Sequence, residues 1–212
     1  MILKVLVVGP YMENTYIVGS EETGEAALVD AGADAQSILK AVEDSGLKVK
    51  AILTTHGHED HVGAVAAIKD ATDATFAIHA NEVAIMDRAP GSTSIIPDYR
   101  DPPEPDILLK EGDDIEIGEL RFKVIETHGH TPGGTSFFGH GIVFTGDTLF
   151  KGSVGRTDFE GGNWEQLANS IRTKLLTLPD ETMVLPGHGP HTTIGEERQW
   201  NPFVGEKASL RE

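Results

Sequence analysis

The sequence predicts an α/β fold, and three observations carry that prediction. Short β-branched and apolar runs alternate with helical stretches from one end of the chain to the other. Glycine supplies 24 of the 212 residues, about 11% against ~7% in an average chain, which suits many tight turns between short elements. Hydrophobic residues make up 39%, enough to bury a sizeable core rather than leave the chain disordered. No internal repeat or low-complexity tract interrupts the pattern.

The first strand is Leu3–Val8, stopped by Gly9-Pro10. The apolar start is far shorter than the ~20 residues of a membrane span. It lacks a basic leader and a small-residue cleavage site, so it reads as a strand and not as a signal peptide. Strands follow at Thr15–Gly19 and Ala26–Asp30, apolar runs bounded by turn residues. A helix is expected over Ala35–Ser45, behind the capping candidate Asp34. Strand Ala51–Thr54 leads to a helix at Val62–Asp70, and strand Thr75–Ile78 to a helix at Asn81–Arg88. Residues Ala89–Asp106 then carry Pro90, Pro97, Pro102, Pro103 and Pro105, too much proline for a helix or a central strand. A segment this long reads as a lid or binding loop or as a passive surface insertion. Further strands are expected at Ile107–Leu109, Arg121–Glu126, Thr135–Phe138, Ile142–Thr145 and Met183–Leu185. The helix Trp164–Thr177 has Asn163 as its cap and Pro179 beyond its end, and a short helix is expected near Gly195–Trp200.

Charge and cysteine content exclude several functions. Seventeen Lys and Arg face 34 Asp and Glu, a net charge of −17. That balance opposes binding to nucleic acid or to an anionic membrane, both of which need basic patches. The absence of cysteine removes disulfides, thiolate metal sites, a cysteine nucleophile and iron–sulfur clusters. It is compatible with a reducing cytoplasm, the location expected.

The strongest chemical signal is Thr55-His56-Gly57-His58-Glu59-Asp60-His61, placed between an expected strand and an expected helix. A lone histidine is usually a core or surface residue. Three histidines and an aspartate crowded into one turn are instead natural ligands for Zn or Fe, at the strand end where α/β folds bind ligands. The same grammar of strand, glycine, ligand and turn recurs at Thr127-His128-Gly129-His130-Thr131-Pro132-Gly133, at Thr145-Gly146-Asp147 and at Pro186-Gly187-His188-Gly189. His79, His140 and His191 lie outside these motifs and are expected to be surface or hydrogen-bonded.

Together, T-H-x-H-x-D-H, G-H-T-P-G, G-D and P-G-H-G resemble the metallo-β-lactamase-fold hydrolases, and within them the glyoxalase II-like branch. The resemblance runs from Glu13-Asn14-Thr15-Tyr16 to Asn201-Pro202-Phe203. It implies one domain over residues 1–212 with a four-layer αββα sandwich, in which two sheets meet face to face and the site lies at one edge. It implies two divalent metal ions, with zinc favoured and iron or manganese as alternatives. His56, His58 and His130 would hold one, Asp60, His61 and His188 the other, and Asp147 would bridge them. His128 stands where the family often has proline and is left outside the ligand set.

The implied reaction is hydrolysis of an acyl thioester such as S-D-lactoylglutathione by a hydroxide shared between the metals, with Asp60 orienting it. Neither a G-x-S-x-G elbow nor a cysteine supplies a rival nucleophile. The segment Gly152-Ser153-Val154-Gly155-Arg156-Thr157-Asp158-Phe159 resembles one in short glyoxalase II-like proteins and in persulfide dioxygenases. It suggests Arg156 as a carboxylate-binding residue, or else as the partner of Asp158 in an ion pair. The chain runs 24 residues past His188, and the expectation is the short branch without a C-terminal helical domain. The alternatives are a mononuclear-iron glutathione-persulfide dioxygenase, and a non-catalytic binding protein stabilised by its metals.

Overall fold

Alternation along the strands builds two sheets, each apolar on both faces. The structure, a computed structural model, describes residues 1–86 and 94–208. The first sheet runs in the order β1 (Ile2–Val8), β2 (Glu13–Gly19), β3 (Glu25–Val29), β4 (Lys48–Leu53), β5 (Thr75–His79) and β6 (Ile107–Leu109). Its first three strands are antiparallel, and β3 to β6 are parallel. The second sheet runs β14 (Thr192–Thr193), β13 (Met183–Pro186), β10 (Ile142–Gly146), β9 (Thr135–Gly139), β8 (Leu120–Glu126) and β7 (Asp114–Ile117). Only β10 and β13 pair in parallel. A small hairpin, β11 (Leu149–Phe150) and β12 (Ser153–Val154), follows β10.

Period two sorts each strand's side chains between layers. On β2, Tyr16 and Val18 face the second sheet while Ile17 faces helices. On β10, Phe144 packs between the sheets and Val143 packs against helices on the far side. The inter-sheet core joins Tyr16, Val29 and Leu53 to Phe122, Phe137 and Leu185. Outside the first sheet lie α1 (Ala35–Glu43) and α3 (Val65–Ala71), through Ile38, Val42, Val65 and Ile68. Outside the second lie α5 (Trp164–Ser170) and α6 (Ile194–Trp200), through Leu167 and Ile194. The layers are helix, sheet, sheet, helix, as expected.

Several expected elements differ in detail. The helix expected at Val62–Asp70 is two pieces, α2 (Glu59–Val62) and α3. The break falls where the Ala64 N–H bonds to the Ala31 carbonyl (2.9 Å) instead of to the preceding turn. Asp34 stands at the start of α1, but its carboxylate accepts the Gly9 N–H and does not cap the helix. Asn163 does cap α5, accepting the Gln166 N–H. Beyond Ser170 that helix widens into a π-helical turn, Ile171–Leu175, in which the Leu176 N–H reaches the Ile171 carbonyl. The helix expected at Asn81–Arg88 opens as a 3-10 turn, Ala80–Glu82, and continues as α4 (Val83–Met86). Its residues 87 and 88 lie outside the described residues, as do 89–93 of the proline-rich segment. In the described remainder, Ile96 and Tyr99 pack on the helix-side core of the first sheet, and Arg100 pairs with Asp70 at 2.6 Å. Strands β7, β11, β12 and β14 were not expected. No helix among the described residues is long and apolar enough to cross a membrane.

Candidate metal centre

Every expected ligand sits just past the carboxyl end of a strand or in the short helix that follows it. His56 and His58 follow β4, and Asp60 and His61 lie in α2. His130 follows β8, Asp147 follows β10 and His188 follows β13. The parallel strands and the β8–β9 connection deliver all seven to one edge of the sandwich. The His188 turn is held by β2: the Asn14 N–H bonds to the Gly187 carbonyl at 2.7 Å, and its amide donates to the Pro186 and Gly189 carbonyls.

The side chains fall into two adjoining groups. In the first, His58 Nδ1 lies 3.1 Å from both His56 Nε2 and His130 Nε2. In the second, His188 Nε2 lies 3.2 Å from Asp60 Oδ2, and His61 Nε2 lies 3.8 Å from the same oxygen. Asp147 stands between them. Its Oδ1 is 3.4 Å from His61 Nε2 and 3.7 Å from His188 Nε2, while its Oδ2 is 3.8 Å from His130 Nε2.

Neighbouring bonds fix which ring nitrogens carry protons. His130 Nδ1 lies 2.7 Å from the Arg156 carbonyl, which only accepts, so Nδ1 donates and Nε2 keeps its lone pair. The Thr55 hydroxyl donates to Asp30 Oδ2 at 2.8 Å, so His56 Nδ1, 3.1 Å away, donates to that hydroxyl and its Nε2 is also a bare acceptor. His58 Nδ1 faces both acceptors and has at most one proton to give. At least one lone pair therefore confronts another at hydrogen-bond distance, an arrangement a cation resolves. In the second group His61 Nε2 and Asp147 Oδ1 are buried without a hydrogen-bond partner. The donor set of imidazoles and carboxylates, and these orphaned atoms, fit two metal ions.

The groups differ electrostatically. Burial, reinforced by neighbouring imidazoles, pushes His56 well below the usual histidine range and His58 down to about 4. Both are neutral and ready to ligate at neutral pH. Burial opposes the charged form in the second group as well, but opposite charges outweigh it. Asp30, Asp60 and Asp147 raise His61, and Asp60 and Asp147 raise His188. The same imidazoles hold Asp60 and Asp147 below the usual carboxylate range.

Both groups open onto a cleft of about 520 Å³ whose lining includes Tyr11, Ile85, Arg156 and Phe159. Arg156 is gripped by Asp158 through two bonds of 2.6 Å and lies over the Phe159 ring at 3.9 Å. Of the two arrangements foreseen for it, the structure shows the ion pair with Asp158, on the wall of the cleft. None of the described residues 94–106 lines the cleft.

The other histidines stand apart. His140 Nε2 accepts the Arg121 N–H, and His191 is exposed. His79, Glu126 and His128 form a further grouping of ligand type. There His79 Nδ1 accepts the Asn81 N–H, so its proton lies on Nε2, 3.3 Å from Glu126 Oε1, and the pair is a hydrogen bond rather than a ligand set. Sequence reasoning missed Asp30, which receives the Thr55 N–H and stands 3.0 Å from His61 Nδ1. Its signal was available: an aspartate ending an expected strand, on the edge that carries the ligands.

The model of the metallo-beta-lactamase superfamily matches residues 8–188. The hydroxyacylglutathione hydrolase GloC of Haemophilus influenzae is 35% identical over 220 residues, spanning 98% of this chain and 100% of that protein. The crystal structure of BLEG-1 B3 metallo-beta-lactamase superposes with a TM-score of 0.88 at 36% identity, covering 96% of this chain and 99% of that one. That of TTHA1623 in a di-iron-bound form superposes with a TM-score of 0.86 at 38% identity, covering 95% and 100%.

Proposed function

This chain belongs to the metallo-beta-lactamase superfamily, and from that premise we propose that it is a metal-dependent hydrolase of a small acyl thioester, of which S-D-lactoylglutathione is the type. The observation that carries the proposal is the pair of adjoining ligand groups with Asp147 between them, open to a cleft of about 520 Å³. Similarity to GloC supports the thioester. His56, His58 and His130 would hold one divalent ion and Asp60, His61 and His188 the other, with Asp147 shared. When bound, two such ions polarise a carbonyl and ease the deprotonation of water, which is the chemistry hydrolysis needs in the absence of a protein nucleophile.

The chain's own residues supply the rest. Asp60 is kept ionised by His61 and His188 and orients the attacking water by accepting a hydrogen bond from it on a carboxylate oxygen. The Asp30 carboxylate stands 3.0 Å from His61 Nδ1 and favours its charged form, and the Arg156 carbonyl fixes the ring of His130. Tyr11, Ile85 and Phe159 cover the apolar part of the substrate. The Arg156 guanidinium receives a substrate carboxylate by exchanging it for Asp158.

The test is metal content per chain on protein purified without added metal, with thioester hydrolysis assayed on the same sample. About two metals per chain with cleavage of S-D-lactoylglutathione is the expected result. One iron per chain, with oxygen uptake on glutathione persulfide and no thioester cleavage, would replace the proposal with the dioxygenase. Hydrolysis of a β-lactam without thioester cleavage would replace the substrate class. Two metals with no turnover of any of these would favour the non-catalytic binding protein.

A further inference from the structure

Glu82 lies in the 3-10 turn after β5, is fully buried, and belongs to neither ligand group. Its two carboxylate oxygens are spent on two different loops. Oε2 accepts the Gly57 N–H at 2.7 Å, and Oε1 accepts the Gly133 N–H at 2.6 Å. Gly57 is the residue between His56 and His58. Gly133 lies in the turn that begins at His130. The first loop leaves β4 of one sheet and the second leaves β8 of the other. One side chain therefore ties together the two loops that supply the three-imidazole group.

The glycines match this role. A Cβ on Gly133 would stand 2.9 Å from Glu82 Oε1, and one on Gly57 would stand 2.8 Å from the Glu82 carbonyl. The turn carrying Glu82 approaches too closely for any side chain at either place. A carboxylate is also the group that suits the task. It accepts at both ends with short, charge-assisted bonds, whereas a carboxamide accepts at one end and donates at the other.

We propose that Glu82 is the positioning residue of the three-histidine metal group, holding His58 and His130 at ligating separation from opposite halves of the sandwich. The inference rests on the metal-binding reading of the site and adds to it a residue that touches neither metal nor substrate.

The test reads metal affinity and not turnover. Metal-free protein carrying His188→Ala, which removes a ligand of the second group, is titrated with Co²⁺ with and without Glu82→Gln, and the visible ligand-field bands are followed. Metal-free protein carrying His58→Ala is treated in the same way to read the second group. The expected result is an affinity loss of about 10–100-fold from Glu82→Gln in the His188→Ala background, and under about 3-fold in the His58→Ala background. Altered bands in the first background would show changed ligand placement and would support the assignment. Thermal unfolding of the metal-free forms comes first. If Glu82→Gln does not fold, Glu82→Asp carries the same comparison, since the charge is kept but the side chain is too short to span both loops. Equal losses in the two backgrounds would reduce Glu82 to a structural residue and overturn the proposal, as would no loss in either. Wild-type protein that binds no Co²⁺ would overturn the metal reading itself, a result distinct from wild-type binding that Glu82→Gln leaves unchanged.

Discussion

His58 and Asp60, two residues apart, are tuned in opposite ways by what surrounds them. Burial and the imidazole of His130 push His58 down to about 4, so the fold refuses a proton that the unfolded chain takes up below its ordinary value near 6.5. For a group with a depressed folded value, stability is present above the unfolded value and is lost as pH falls towards the folded one. Metal-free His58→Ala should therefore gain stability relative to the metal-free wild type as pH drops from 6.5 towards 4. The gain should approach about 3 kcal/mol, taking ~1.4 kcal/mol per pH unit, and urea unfolding across that range measures it. A flat difference would mean that His58 titrates normally. Asp60 is held ionised, and Asp60→Asn should lower kcat/KM by at least about 100-fold while circular dichroism stays that of the wild type. Activity within a few-fold of wild type would remove Asp60 from the mechanism.

At the scale of elements, strand β2 anchors the turn that carries His188. The side-chain amide of Asn14 donates to the Pro186 and Gly189 carbonyls at 3.0 and 2.8 Å. Asn14→Ala leaves both without that donor, at a cost of about 1–3 kcal/mol, and should weaken metal binding at the second group more than at the first. Chemical denaturation and metal titration check the two halves of that statement. Much of this level was legible in the sequence. The four ligand-bearing turns could be read because each is contiguous and follows an apolar strand. Strand β7 was readable as well, since Asp114-Ile115-Glu116-Ile117 alternates strictly. The two-residue strands β11, β12 and β14 are too short to show a period. The break between α2 and α3 was hidden because its cause is a hydrogen bond to Ala31, more than thirty positions away.

For the whole molecule, the inter-sheet core holds the two ligand-bearing halves in register. Phe137 is fully buried there, between strands of the first sheet and its own neighbours Phe122 and Phe144. Phe137→Ala should cost about 3–5 kcal/mol, read from the denaturation midpoint of the metal-free protein. A loss below 1 kcal/mol would mean that the sheets do not depend on this contact. The sequence by itself determined the alternation of strands and helices and the four turns rich in candidate ligands, and its resemblance to a known family implied the layers and the seven-residue set. Periodicity two and local clustering of histidine, aspartate and glycine are properties of neighbouring residues. Only the tertiary structure decided which residues serve those ligands. Asp30 reaches Thr55 and His61, Glu82 reaches Gly57 and Gly133, and the carbonyl of Arg156 orients His130. Each of these contacts joins segments 25 or more positions apart. Such pairs leave no local pattern, because strand pairing and loop packing bring distant segments together, and among them only Glu82 to Gly133 spans the two sheets.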